Sequence, residues 1–229
     1  MKHALLALYI GLVSALNAHA QSATVNYPVT EPFVAVKVHS AFNVKVSDQV
    51  SDIVVTIDQK AQPKVVVKVE DGILTIGVKG PTRYKGKAVA VIPAPEHLYG
   101  VNLSGASYFR GNLAGELVKV ILSGASTFVG NIDADELKVE ASGASTLKAD
   151  GACGDMKMTV SGASSILAGN LLADTVKGEV SGASHVDISC ASLLKVEASG
   201  ASHVSYRPAA GSTPQVDCVT SGASTVKAK

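Results

Sequence analysis

The chain has 229 residues, of which 47% are hydrophobic, 17% are charged and only 4% are aromatic, with 21 glycines and no tryptophan. Charged residues usually make up about a quarter of a soluble domain, so this composition excludes a disordered chain and favours many short strands built from small residues. Twenty Lys and Arg side chains are balanced by 19 Asp and Glu side chains. The chain therefore has no overall field that would attract nucleic acid or an anionic membrane surface.

The first twenty residues have the features of a secretory signal peptide. Lys2 precedes an apolar run from Ala4 to Leu16, and Ala18-His19-Ala20 supplies a small-x-small cleavage pattern. No later apolar segment is long enough to span a bilayer. We therefore predict a signal peptide over residues 1–20 and a single domain over 21–229, exported to the periplasm, the outer membrane or the extracellular space.

The tetrapeptide Ser-Gly-Ala-Ser occurs seven times at nearly constant spacing. Its copies begin at Ser104, Ser123, Ser142, Ser161, Ser181, Ser199 and Ser221. A spacing of 18 to 22 residues is the signature of a repeat architecture. A unit of this length cannot bury its own apolar side chains, so neighbouring units must stack and pair with one another.

The residues before each tetrapeptide alternate between apolar and polar side chains. The fifth position before the motif is apolar in every copy, and the position after it is a lysine in five copies. These lysines are Lys119, Lys138, Lys157, Lys177 and Lys195. Alternation with a period of two predicts a half-buried strand whose lysines face water. A second strand follows the motif, since a large apolar residue lies two positions beyond it in every copy.

The repeat unit predicts one coil of a parallel β-helix, with regular coils of about 19 residues from about residue 99 to 229. Gly-Asn pairs such as Gly111-Asn112 and Gly130-Asn131 predict tight turns with positive φ. The small residues of Ser-Gly-Ala-Ser are expected to fill the stacked corners. We favour this over an array of reactive serines, because a nucleophile needs an adjacent base and the corners repeat without one.

Residues 33–103 contain strands without the tetrapeptide, so the early coils are expected to be less regular. Asp71-Gly72 separates two apolar runs and predicts a hairpin that interrupts the parallel pattern. The predicted strands of this part span residues 33–38, 42–46, 53–57, 65–70, 73–78 and 88–92.

Four segments carry a resemblance to a known family. They are Phe33-x-x-Val36, Phe42-Asn43-Val44-Lys45-Val46, the stretch from Val67 through Asp71-Gly72 to Ile76, and the stretch from Leu98 to Ser104-Gly105-Ala106-Ser107. Together they resemble the putative auto-transporter adhesin, head GIN domain family of the bacterial envelope. The resemblance covers nearly all of the chain after the signal peptide. It implies an all-β fold, a right-handed parallel β-helix-like solenoid, and a secreted or surface protein.

The lysine column is the first candidate binding face. Stacked coils would place its five ammonium groups about 4.8 Å apart, a spacing suited to a linear anionic polymer. Glu140, Glu179 and Glu197 lie on the same outward side and partly neutralise it, so an ordinary solvated surface is the favoured alternative. The second candidate is the column that directly follows the motif, from Tyr108 to Thr225.

His185 and His203 occupy equivalent positions in successive coils and are the only metal-ligand candidates. Stacking would bring their rings within about 5 Å, with Asp187 and Ser205 as additional oxygen donors. Two histidines make a weak site, and a polar ladder is the favoured interpretation. No catalytic or cofactor-binding residue is nominated, and no cofactor is expected.

Three cysteines, Cys153, Cys190 and Cys218, leave at least one thiol unpaired within a monomer. The first two are expected two coils apart, which is about 9.6 Å and beyond the reach of a disulfide. We therefore expect all three to be small buried hydrophobic residues.

Taken together, the residues favour a noncatalytic, exported cell-envelope protein that acts as an adhesin or a structural scaffold. The alternative is a polysaccharide hydrolase or lyase, which would need clustered carboxylates that this sequence lacks. The expected partner is an envelope glycan or a surface protein, not nucleic acid. The last coil lacks a cap in the sequence, so a homo-oligomer through residues 216–226 is a further expectation.

Overall fold

The computed structural model describes residues 22–229, so the predicted signal peptide lies outside the described residues. Seventeen strands are hydrogen-bonded into one continuous sheet, accompanied by a single 3-10 turn at Gln62–Lys64. The strands are β1 (Ser22–Tyr27), β2 (Ala35–Val38), β3 (Phe42–Ser47), β4 (Ile53–Asp58), β5 (Val65–Glu70), β6 (Ile73–Val78), β7 (Ala88–Pro93), β8 (Gly100–Leu103), β9 (Tyr108–Arg110), β10 (Leu113–Leu122), β11 (Thr127–Ala141), β12 (Thr146–Val160), β13 (Ser165–Val180), β14 (His185–Ala198), β15 (His203–Pro208), β16 (Gln215–Thr220) and β17 (Thr225–Ala228). Within residues 22–229, no helix has the length and apolar character needed to cross a bilayer.

The Ser-Gly-Ala-Ser repeats form the predicted parallel solenoid. Strands β10 to β14 pair in parallel and in register, so that Leu137 lies opposite Val118 on one side and Met156 on the other. The part of each coil before the tetrapeptide, together with β8 and β16, forms one flat side that we call the lysine face. The part after it, with β9, β15 and β17, forms a second side that we call the tyrosine face.

The tetrapeptide forms the corner between these two faces. Its glycine has positive φ in every copy, and the following amide donates to the glycine carbonyl of the preceding coil, as Ala163 does to Gly143 at 2.7 Å. The last serine of the motif is buried in six of the seven copies. The Ser164 hydroxyl, for example, donates to the carbonyl of Ser161 at 2.8 Å. These contacts give the repeated serines a structural role at the corner.

The Gly-Asn pairs do not form the predicted turns. Gly130 lies within β11, and neither Gly111 nor Gly130 is among the described residues with positive φ. A methyl group on Gly130 would lie 1.8 Å from the carbonyl oxygen of Gly111. Glycine is needed here because two backbones approach closely, which is the other common reason for glycine in a strand.

The early coils are less regular, and they contain the predicted hairpin. Strands β5 and β6 are antiparallel, with Asp71 and Gly72 at positive φ in the two-residue turn. Strand β2 lies between β6 and β8, so a strand from early in the chain is inserted between two later ones. Strand β1, which the sequence analysis did not predict, pairs antiparallel with β4.

The inward side chains form one continuous core that extends from Phe33 to Val204. The last coil departs from the predicted burial. Val216 belongs to an inward column but is 45% exposed, and Cys218, which was expected to be buried, is partly exposed. Both deviations have the same cause, because among the described strands β16 has a ladder partner on one side only, in β14.

Candidate functional site

The five predicted lysines lie in one column of the lysine face. They occupy directly opposite positions in successive parallel strands, from Lys119 in β10 to Lys195 in β14. Neighbouring strands are about 4.8 Å apart. All five side chains extend from the solvent side of the sheet, because each lysine follows an apolar residue that is buried in the core, such as Val118, Leu137 or Leu194.

Carboxylates compensate most of this positive charge. Ion pairs within 4 Å join four lysines of the column to acidic side chains: Lys119–Glu140 at 2.9 Å, Lys138–Glu136 at 3.3 Å, Lys157–Glu136 at 2.7 Å and Lys195–Asp217 at 3.6 Å. The hydrogen bond that Lys157 donates lowers the pKa of Glu136. Within the described part of the chain, Lys177 is the lysine of this column that has no such pair.

A shallow groove of about 800 Å³ runs along the lysine face. Lysines line one side, and Glu140, Glu179 and Glu197 line the other. Val139, Met158 and Gly178 lie between the two rows of charged residues and complete the lining. The groove therefore offers a row of cations and a parallel row of anions to an extended ligand.

Glu136 is a site residue that sequence analysis missed. It precedes the repeat positions used to align the coils, yet it pairs with both Lys138 and Lys157. The signal was present in the sequence, because side chains two residues apart in a strand lie on the same side. Glu136 and Lys138 have that spacing.

Tyr108 lies on the tyrosine face and is separated from the lysines by the corner. It is half-buried, and it faces Asn43 of β3 and Thr127 of β11. Its column continues through hydroxyl and imidazole side chains to Thr225. The structure therefore does not bring the predicted binding residues together on one surface.

His185 and His203 stack as expected, with ring centroids 5.5 Å apart and planes 12° from parallel. Zinc–nitrogen bonds are about 2.1 Å long, so two nitrogens that share a zinc ion lie at most about 4.2 Å apart. Parallel rings at this separation would have to reorient to bind one ion. His203 is also held by Thr225 at Nδ1 and by Ser205 at Nε2, at 2.5 Å and 3.2 Å.

Of the oxygen donors expected beside the histidines, Ser205 bonds to His203 and Asp187 is engaged through Oδ2, while its buried Oδ1 has no hydrogen-bond partner among residues 22–229. Asp187 accepts from Arg207 at 3.1 Å and pairs with Lys229 at 2.9 Å. Across residues 22–229, no three or more His, Cys, Asp or Glu side chains are grouped so that they could hold a metal ion. The ion pairs of Asp187 with Arg207 and Lys229 thus hold the end of β15 and the residue after β17 against β14.

The three cysteines are free thiols. Burial raises the pKa of the Cys153 thiol to about 12, and burial also raises the pKa values of Cys190 and Cys218. The thiolate is the reactive form of cysteine. These thiols are therefore poor nucleophiles at neutral pH.

Crystal structures of several bacterial proteins share this fold. A putative adhesin from Bacteroides fragilis is 17% identical, with a TM-score of 0.81 over 94% of this chain and 100% of that chain. A putative adhesin from Parabacteroides distasonis is 18% identical, with a TM-score of 0.68 over 92% and 98%. A putative lipid binding protein from the same organism is 17% identical, with a TM-score of 0.62 over 91% and 96%.

The similarity to these structures establishes the fold alone, because the sequences are less than 25% identical. No curated protein matches the chain. The family model described as putative auto-transporter adhesin, head GIN domain matches residues 32–210, which is most of the chain. The match begins just before β2 and extends beyond the end of β15. The chain belongs to the putative auto-transporter adhesin, head GIN domain family.

Proposed function

We propose that this protein is an exported, noncatalytic adhesin or binding scaffold of the cell envelope, and that its lysine face contacts an anionic envelope glycan. The observation that carries this proposal is the in-register column from Lys119 to Lys195, with one cation in each of five successive coils. The solenoid holds these charges at a fixed spacing. A long acidic chain can therefore contact several of them at once without ordering a flexible loop.

Export is supported by the signal-peptide pattern of residues 1–20 and by the family, which is described as adhesins. Both favour an envelope location, in the periplasm, at the outer membrane or outside the cell. A repetitive solenoid also suits such a role, because its extended faces offer a large contact surface.

The charge state of the lysine face argues against the alternative of a polysaccharide hydrolase. Such enzymes need a carboxyl group whose pKa is raised, so that it can protonate the leaving oxygen. The pKa of Glu136 is shifted in the opposite direction by the hydrogen bond from Lys157. Its carboxylate is suited to compensate charge and not to donate a proton.

The lysine face predicts salt-sensitive binding to a sulfated polysaccharide such as dextran sulfate. Each exposed ion pair contributes about 0.5 kcal/mol, so replacing Lys138, Lys157 and Lys177 together by Gln is expected to weaken binding roughly tenfold. The dissociation constant at low salt and the NaCl concentration needed for elution from a dextran sulfate column measure this effect.

The matched control replaces three lysines near the opposite end of the solenoid, Lys60, Lys64 and Lys85, by Gln. All three are exposed and lie in connections outside the lysine face. The control has the same net charge as the test variant and is expected to bind like the wild type. Equal weakening in both variants, or no retention of the wild type at low salt, would refute the role of the lysine face.

We also propose that the last coil mediates self-association. Val216 and Val219 are 45% and 61% exposed, and among the described strands β16 is hydrogen-bonded along one edge only. Exposed apolar strand edges pair readily with other strands. A dimer is expected at high protein concentration, and Val219→Lys should shift it to monomer, because a lysine on an edge strand opposes pairing.

Light scattering over a range of protein concentrations measures this equilibrium. Thr159→Lys is the matched control, since Thr159 is exposed in the middle of the lysine face, where its strand is paired on both sides. That variant should dimerise like the wild type. A wild-type protein that stays monomeric at high concentration would contradict the proposal.

A further inference from the structure

A second groove of about 750 Å³ lies on the solvent side of the solenoid, away from the lysine face. It is bordered by the ends of β3 and β9, the first halves of β11 and β12, and the segment 94–98 that connects β7 to β8. The early irregular coils and the regular coils meet at this point. None of the binding-face residues nominated from the sequence lines it.

Three cations form a row along this groove. Lys45 of β3 lies opposite Arg110 of β9, which lies opposite Val129 of β11, and Val129 lies opposite Lys148 of β12. At about 4.8 Å between neighbouring strands, the second cation is about 5 Å from the first and the third is about 10 Å further on. The spacing is fixed by the sheet.

The cations of this row are uncompensated, unlike most of those on the lysine face. Within residues 22–229, no carboxylate lies within 4 Å of Lys45, Arg110 or Lys148, whereas four of the five lysines of the lysine face have such a partner. All three side chains are exposed. Their hydrogen-bonding groups are therefore available to a ligand without first breaking an ion pair.

Two glycines of the groove lining lie where strands approach one another closely. A methyl group on Gly111 would lie 2.5 Å from the side chain of Val46, and one on Gly130 would lie 1.8 Å from the Gly111 carbonyl oxygen. The Asn112 side-chain oxygen accepts the backbone N–H of Asn131 at 3.1 Å, which fixes the orientation of the amide. Backbone and amide groups thus line the floor in a fixed arrangement.

The segment 94–98 provides one wall, with an aromatic surface. The imidazole of His97 stacks on the ring of Tyr99, with centroids 5.7 Å apart and planes 10° from parallel. A methyl group on Gly115 of β10 would lie 2.5 Å from the Tyr99 ring, so that ring is packed closely against β10. Tyr99 therefore supports the imidazole of His97, which offers a flat ring at the groove wall.

Exposed carboxylates complete the lining. Asp48, Glu96 and Asp150 lie around the cation row. In the part of the chain that the structure describes, they lack charged partners of opposite sign within 4 Å, except for a 3.8 Å approach of Glu96 to His97. Carboxylates accept hydrogen bonds from hydroxyl groups. A DNA backbone has no internal hydroxyl groups that could donate to them. The three cations and three carboxylates of the lining therefore suit a chain that carries both anionic groups and many hydroxyl groups.

We propose that this groove is a binding site for an acidic polysaccharide of the uronate type. The carboxylates of the ligand pair with Lys45, Arg110 and Lys148, its hydroxyl groups donate to the acidic rim, and a sugar ring packs on His97. The site is separate from the lysine face and does not depend on the function proposed for that face.

The test measures binding of polygalacturonate to the full chain at low salt, with neutral dextran as the comparison ligand. Because Arg110 is expected to form a charge-assisted hydrogen bond, Arg110→Gln should weaken polygalacturonate binding about tenfold. His97→Ala should weaken it further when the two substitutions are combined. Lys64→Gln is the matched control and should leave this affinity unchanged, because Lys64 is exposed and lines neither this groove nor the lysine face.

Each outcome decides for or against the groove. Loss of affinity in Arg110→Gln with none in Lys64→Gln supports it. Equal loss in both variants, or a wild-type protein that does not bind polygalacturonate, would overturn it. Binding of neutral dextran with the same affinity would also overturn it, because the cation row would then have no part in recognition. Dextran sulfate binding, which tests the lysine face, is scored separately.

Discussion

Replacing Gly162 by Ala is expected to destabilise the solenoid by about 3 kcal/mol, because two costs add at this corner. The residue has φ of +75°, a conformation that costs an alanine about 1–2 kcal/mol. Its new methyl group would also lie 2.4 Å from the carbonyl oxygen of Gly143 in the preceding coil. Relief of such an overlap requires a backbone shift of the kind that costs about 1–3 kcal/mol.

Gly211→Ala separates the two costs. Gly211 has φ of +77°, but no atom lies within 4 Å of the position that its methyl group would occupy. This control should lose only the conformational part, about 1–2 kcal/mol. Urea denaturation followed by circular dichroism gives both free energies of unfolding. If the two variants lose equal stability, close stacking of the corners is not what requires glycine there.

The regular half of the fold could be predicted because equivalent residues of successive coils have the same surroundings. The 19-residue spacing places Val118, Leu137 and Met156 in one inward column, and the structure pairs them directly. The hairpin at Asp71-Gly72 was equally predictable, since those residues favour the positive φ that its turn requires. Both features follow from patterns that can be read in the sequence, the repeat in one case and the turn residues in the other.

The order of the early strands could not be predicted in this way. Strand β2 is inserted between β6 and β8, and β1 pairs with β4 in the opposite direction. Pairing of strands that are distant in sequence depends on which apolar surfaces meet in the folded chain, and no periodic pattern records it. Gly130 illustrates the same limit, because its role depends on the approach of Gly111 from another coil.

The same distinction applies to the candidate sites: one follows from the repeat, and the other depends on strand pairing in the folded chain. The lysine column follows from the repeat, but its compensation by Glu136 depends on side-chain placement across two coils. The row formed by Lys45, Arg110 and Lys148 spans the junction between irregular and regular coils. Alignment of the seven repeats does not include Lys45, so the row becomes visible only in the folded chain.

Replacing Phe128 by Ala is expected to cost about 3–5 kcal/mol, as is usual for a buried phenylalanine. The side chain is fully buried, and its ring stacks on Phe109 of the neighbouring coil with centroids 6.1 Å apart. Its removal leaves a cavity between coils that the surrounding sheet has little freedom to fill. A loss of this size is a large part of the stability of a typical domain.

The matched control is Val129→Ala, one residue further along β11 and on the outer side of the sheet, where the side chain is only half-buried. It should cost less than about 1 kcal/mol. Phe128→Leu should lie between the two, because it keeps part of the buried volume. Denaturant midpoints with unchanged slopes would report these differences as stability alone. If Phe128→Ala loses no more than Val129→Ala, the inward column does not provide the main packing between coils.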